Sequence, residues 1–207
     1  MCDLNHHHEH GDFGFIVDVP EIRALIDETR RLAGTIREHA ARVEALRPAF
    51  ARLLAADGWL PDPFAQPDTT SGMGGGIGQY ALYRDEAGSL CLFSLVVPPG
   101  SSTPVHDHLA WGLVGLYRGT QDEEIYATSD GGLELTERRA LAPGDFYALL
   151  PPANDIHRVR TTSSETSVSI HLLTNDTGCI WRHAYDLETG EQRAFRSGYV
   201  NVACSNS

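Results

Sequence analysis

Apolar residues recur at helical spacing early in the chain and at strand spacing through most of the remainder. Ile22, Leu25, Ile26, Leu32, Ile36, Val43, Leu46, Phe50, Leu53 and Leu54 make up the helical set. Asp18-Val-Pro20-Glu21 reads as a helix start: a capping Asp, a proline in the first turn and an acidic residue after it. Gly34 and Pro48 predict breaks, giving two or three helices that end before Gly58. Arg30, Arg31, Glu38, Arg42 and Glu44 mix both signs, as a solvated face does and a membrane-surface helix does not.

From Gln79 onward short runs rich in β-branched and aromatic residues alternate with Gly, Pro, Asp and Asn. Strands are expected over 79–83, 89–97, 112–117, 123–127, 133–138, 146–150, 156–161, 167–173, 179–185 and 192–196. Strands this short and this regular predict a mainly β sandwich or barrel, the double-sheet jelly roll among them. The chain thus divides into a disordered or extended N-terminus (1–17), N-terminal helices (18–60), a Pro/Gly-rich linker or lid (61–78) and a β-barrel (79–207). The glycine run Ser71-Gly-Met-Gly-Gly-Gly-Ile-Gly78 lacks the Gly-Lys-Ser/Thr ending of a phosphate loop and reads as a flexible loop near a pocket mouth.

Composition narrows the partners. A net charge of −12 argues against nucleic acid or an anionic membrane as the main partner, and leaves room for a small anion held by one arginine. The N-terminus has neither a basic n-region nor an apolar h-region, and no apolar run would span a bilayer, so a cytoplasmic location is expected. Cys2, Cys91, Cys179 and Cys204 form no CxxC pair; free thiols in a reducing compartment are the expectation, with a disulfide between any two left open. Histidines 6, 7, 8 and 10 read as a polar terminus that binds metal only adventitiously.

The chemistry concentrates in Gly100-Ser-Ser-Thr-Pro-Val-His106-Asp-His108-Leu-Ala-Trp-Gly112. Residues two apart on a strand leave the same face, so His106 and His108 converge. His157 follows the turn Pro143-Gly144-Asp145 and a short apolar run. Three imidazoles meeting inside one barrel would hold a metal with coordination positions left open. Trp111 is expected to pack around this site, since an indole N–H only donates. Asp107 is expected on the opposite strand face, and Asp155 is the better-placed carboxylate.

Gly100-x5-His106-x-His108-x3-Gly112-x6-Gly119 resembles the first cupin motif, with Gly112 where that motif usually has its glutamate ligand. Pro143-Gly144-Asp145 through His157 resembles a lengthened second motif. A cupin with three histidines and no glutamate is similar to the thiol dioxygenases, cysteine dioxygenase and 3-mercaptopropionate dioxygenase. The likeness covers residues 79–186. It implies a cupin double-stranded β-helix (jelly-roll) barrel preceded by helices. It further implies a non-haem Fe(II) centre on His106, His108 and His157, O2 as co-substrate, and a small thiol carboxylate converted to a sulfinate. Ser167-Val-Ser169-Ile-His171-Leu-Leu173 resembles the family's Ser-x-His-x-Tyr relay, with Leu173 at the tyrosine position. Tyr185, Tyr147 and Tyr126 are candidates to complete the relay. The family's cysteine–tyrosine crosslink is excluded in its usual form, because Gly112 and Leu173 occupy those positions. Arg182 matches a carboxylate-binding arginine of the bacterial 3-mercaptopropionate enzymes, with Arg160 as a second candidate.

Three alternatives stay open at this stage. One is a cysteine-consuming cupin oxygenase whose product is unusual, such as a sulfonamide or a decarboxylated species. Another is a non-catalytic cupin that binds a small ligand. The third is a metal-dependent hydrolase or isomerase, which would work without oxygen, tolerate Zn and need a carboxylate acid/base. The donor set also accepts Ni, Mn or Co. A monomer and a small homo-oligomer are both compatible with the chain.

Overall fold

In the computed structural model, residues 13–129 and 132–204 are described; Cys2 and the histidines at 6, 7, 8 and 10 lie outside them. The early helical pattern forms α1 (Pro20–Thr35) and α2 (His39–Ala55). Pro20 opens α1 after an extended Val19 that makes no side-chain cap; the expected cap, Asp18, instead grips the Arg23 guanidinium with both oxygens. Glu38 caps α2 by accepting from the backbone N–H groups of Ala40 and Ala41. Gly34 and Pro48 do not break the helices as expected. Gly34 sits in the last turn of α1, where little helix remains to weaken, and Pro48 lies inside α2. Proline forfeits one backbone donor and crowds one carbonyl; apolar anchors on both sides of it, Val43 and Leu46 before and Phe50, Leu53 and Leu54 after, hold α2 on the sheet.

Among the described residues there are twelve strands, one before the helices, β1 (Gly14–Phe15), and eleven after them: β2 (Gly78–Arg84), β3 (Cys91–Val97), β4 (Val105–His106), β5 (Gly112–Arg118), β6 (Gln121–Ser129), β7 (Gly132–Leu141), β8 (Phe146–Leu149), β9 (Ile156–Thr161), β10 (Ser167–Leu173), β11 (Arg182–Tyr185) and β12 (Gln192–Phe195). They build two antiparallel sheets in the orders β1-β2-β3-β10-β5-β8 and β12-β11-β4-β9-β6-β7. From β3 to β11 the chain changes sheet at every connection except the β6–β7 hairpin. This alternation is the winding of a double-stranded β-helix, or jelly roll.

The alternation of side chains sorts the first sheet into two faces. On β10, Val168, Ile170 and Leu172 point to the helices, while Ser167, Ser169, His171 and Leu173 point into the barrel. The helix-side core joins Ile22, Leu25, Ile26, Leu46 and Phe50 to Leu82, Leu92, Val96 and Leu113. Gly115 lets α2 approach β5, since a Cβ there would lie 2.5 Å from Leu54 Cδ1 and 2.9 Å from Phe50 Cε1. The barrel interior holds Ala81, Phe93, Leu95, Val114, Leu116 and Leu149.

The C-terminal segment straps this interior. Tyr199 Oη donates to Asp176, and the Asn201 amide bonds both backbone groups of Ala81. Cys179 and Cys204 form a disulfide, which corrects the expectation of free thiols and removes that ground for a reducing compartment. The pair shows no motif because it joins a loop to the strap, a proximity that only the folded chain creates. Cys91 is free and buried, and burial pushes its thiol up to about 12. The glycine run is pinned and not loose: Ser71 donates to Ile77 O, Gly72 N–H to Ser197 O, and Met73 and Ile77 are buried in the interior cluster. Among the described residues, no helix is long and apolar enough to cross a membrane.

Candidate metal centre

β4 lies between β11 and β9, which sets His106 opposite both Ala184 and His157. His108 follows beyond the strand end. The rings of His106 and His108 are 5.0 Å apart between centroids, those of His106 and His157 4.9 Å, and those of His108 and His157 4.7 Å. One nitrogen from each ring fits within a common span of 4.8 Å, and all three residues are buried.

Each ring is oriented through Nδ1. His106 Nδ1 is 2.8 Å from Pro104 O, His108 Nδ1 is 3.2 Å from Asp155 O, and His157 Nδ1 is 3.0 Å from Tyr147 Oη. A carbonyl can only accept, so His106 and His108 carry their protons on Nδ1. Nε2 is then the nitrogen left to bind an ion. His157 Nε2 is buried and has no hydrogen-bond partner, as a ligand atom would be left without its metal. Burial, and then Arg182 and the neighbouring histidines, push His106 well below the usual histidine range. Burial likewise lowers His108, against the opposing pull of Asp155. Metals bind neutral imidazole, so these residues fit a metal ion.

Asp155 and Asp107 hold the ligand loop from two sides. Asp155 accepts the backbone N–H groups of His108 and Leu109 at 3.0 and 3.2 Å, and Leu109 adopts a left-handed φ of 53°. Asp107, on the opposite face, accepts from His183 N–H and Tyr185 Oη. Both carboxylates are thus engaged in building the loop.

His171 enters from β10. Its Nε2 lies 3.1 Å from Ser169 Oγ, its ring stacks on Phe93 at 4.5 Å, and its centroid is 6.1 Å from that of His108. His171 Nδ1 is buried without a partner. Burial and the nearby His108 and His157 push this imidazole well below its ordinary value. Leu173 fills the barrel between Gly112 and Cys91. A Cβ on Gly112 would sit 2.0 Å from Leu172 O, so this backbone admits no side chain there without moving.

Arg182 is buried beside this group. Its Nε donates to Thr177 O at 3.1 Å, Nη1 to Asp107 O at 2.5 Å and Nη2 to Ser197 Oγ at 2.9 Å, with the guanidinium over the Phe195 ring. Burial lowers it to about 10, so it remains a cation at neutral pH. Arg160 is exposed on the outer face of β9 and drops out as a site residue. Trp111 stacks on His39 at 5.1 Å and packs against the helix-side core, away from its expected place around the histidines. Of the three tyrosines considered for the relay, Tyr147 meets His157, Tyr185 donates to Asp107, and Tyr126 donates to Glu124.

Sequence reasoning missed Glu123. It is buried beside His157, with its Oε2 3.8 Å from Nδ1. The signal was available: Glu123 shares its strand phase with Ile125, which points inward opposite His157.

No known family's sequence profile matches the chain. Among solved structures, Peruvianin-I, described as a cysteine peptidase from Thevetia peruviana latex, overlaps 48% of this chain and 62% of its own at 21% identity and a TM-score of 0.40. A cupin 2 domain-containing protein from Halorhodospira halophila overlaps 58% of this chain and 69% of its own, at 15% identity and a TM-score of 0.39. Oxalate oxidase in complex with the substrate analogue glycolate overlaps 49% of this chain and 52% of its own, at 16% identity and a TM-score of 0.41. The chain spans less than two thirds of the length of Peruvianin-I and of this oxalate oxidase. Likeness at this level carries no functional weight. The fold rests on the strand order, and the metal group on three converging histidines.

Proposed function

We propose that the protein is a non-haem Fe(II) oxygenase acting on a small thiol carboxylate, with O2 as co-substrate and a sulfinate as product. The observation that carries this reading is a buried set of three converging imidazoles, His106, His108 and His157, with no carboxylate among them. The resemblance of the Ser169–His171 segment and of Arg182 to thiol dioxygenases supports it.

Held by the three Nε2 atoms, Fe(II) would supply Lewis acidity toward a thiol and redox chemistry toward O2. Arg182 would receive the carboxylate. A guanidinium has five N–H donors, and three are taken by Thr177, Asp107 and Ser197, which leaves two for a substrate. His171, steadied by Ser169 and Phe93, offers Nδ1 to a substrate group or a water. The surrounding interior of Phe93, Leu173 and Val114 excludes bulk water.

Leu173 favours a second reading. It is fully buried where a hydroxyl would extend the relay, so the relay ends at His171. An oxidation lacking that hydroxyl is open to an unusual product, such as a sulfonamide or a decarboxylated species. The test is anaerobic loading with Fe(II), addition of oxygen with a panel of thiol carboxylates, and mass spectrometry of the products. One thiol carboxylate should stimulate oxygen uptake and gain two oxygen atoms on sulfur. A different mass change selects the second reading, and no stimulation by any thiol removes both.

A further inference from the structure

We propose that Glu123 and Tyr147 form a buried relay behind His157 that sets the donor strength of that ligand. The inference rests on the three-histidine metal site and is independent of the thiol chemistry. Glu123 side-chain exposure is 0%, and neither carboxylate oxygen has a hydrogen-bond partner. An unpaired buried carboxylate is expensive, and nothing in the packing requires one. Three groups face it. His157 Nδ1 lies 3.8 Å away. The Tyr147 hydroxyl, 3.0 Å from His157 Nδ1, is pushed well above the ordinary phenol range first by burial and then by the charge of Glu123. Arg139 is the cross-strand partner of Glu123; its guanidinium lies 4.7 Å over the Tyr147 ring and its Nη1 is buried without a partner.

A metal on His157 would set the direction of the hydrogen bonds in this cluster. If His157 gives Nε2 to a metal, Nδ1 keeps its hydrogen and donates to Tyr147 Oη. The phenol hydrogen is then free to turn toward Glu123, while Arg139 gives Nε and Nη2 to Glu137. The anion at the end of this chain draws on the Nδ1 proton and makes Nε2 a stronger donor. His106 donates to a backbone carbonyl and His108 to Asp155 O, with the Asp155 carboxylate already bound to backbone N–H groups, so His157 is the ligand of the three whose Nδ1 meets a side-chain hydroxyl backed by a carboxylate without hydrogen-bond partners.

The test measures Co(II) affinity of the full chain by chelator competition, together with the visible ligand-field spectrum of the Co(II) protein. Glu123→Gln keeps the shape and removes the charge, and Tyr147→Phe removes the link while keeping the ring. Each should weaken Co(II) binding about 10- to 100-fold and shift the spectrum. The double variant should lose no more than the worse single one, because both act through one chain. Thermal melts of the metal-stripped proteins should show Glu123→Gln no less stable than wild type; Tyr147→Phe carries the test if Glu123→Gln does not fold. Wild-type affinity and spectrum in both variants overturn the relay while leaving the metal site intact. A wild-type chain that binds no Co(II) overturns the relay and the metal site together.

Discussion

The two faces of β10 have opposite chemistry on one strand. Toward the helices, Val168, Ile170 and Leu172 join an apolar core that continues through Phe50 and Leu25. Toward the barrel, Ser169 and His171 lie buried with polar atoms that packing alone would not place there. The first face gains free energy from every apolar atom removed from water. The second forfeits part of that gain, since a buried polar group costs about 1–3 kcal/mol when its partner is missing. Stability and chemistry are thus divided across one sheet.

That division can be broken from either side. The largest effect should come from His157→Ala, which removes a ligand: Co(II) or Fe(II) binding should fall below detection in chelator competition, with the stripped protein still folded by circular dichroism. Retained tight binding would show that the three histidines are not the metal group. On the other face, Phe50→Ala should cost about 3–5 kcal/mol in a urea melt, with unchanged metal affinity per folded molecule. A drop in that affinity would mean the faces are not separable.

Acidification sharpens the contrast. His106, His108 and His171 are held below the ordinary value of 6.5, foremost by burial. Below that pH the unfolded chain takes up protons that the folded chain refuses, so stability falls as pH falls. The slope should approach about 1.4 kcal/mol per pH unit for each proton. Urea melts of the metal-stripped protein at pH 7.5 and 5.5 should show this loss, and His171→Leu should reduce it by one proton's share. Equal stability at the two values would contradict the buried neutral state of these rings. A smaller effect is expected at Gly112→Ala, about 1–3 kcal/mol of destabilisation, because the new methyl meets Leu172 O. A calorimetric melt indistinguishable from wild type would show that this strand pair gives way freely.

The sequence was most legible where one strand decides the outcome. Ser169 and His171 were paired on β10 by a period of two residues, which needs no knowledge of neighbouring strands, whereas β4 ends at His106 and His108 joins it from the loop held by Asp155. The helices were legible as an apolar stripe, yet Pro48 was misread because its local cost is overruled by packing on both sides. Glu123 was hidden although its strand phase was readable: a glutamate beginning a strand is ordinarily solvated, and only the cross-strand register with β9 brings it beside His157. Trp111 was assigned to the wrong surroundings because proximity in sequence does not state where a side chain points after a turn; for Arg160 the signal was readable, since three residues along β9 from His157 is the opposite face.

By itself the sequence determined the period of each element, the alternation that makes a mainly β chain with helices before it, and three histidines able to serve as ligands. Those are local properties, set by side-chain direction along one backbone segment. The tertiary structure decided that the three rings converge, that Arg182 spends three donors on Asp107, Thr177 and Ser197, that Cys179 meets Cys204, and that a lone carboxylate backs His157. Each joins segments that are distant in the chain. Their meeting depends on strand order and closure of the barrel, which no single segment's pattern contains.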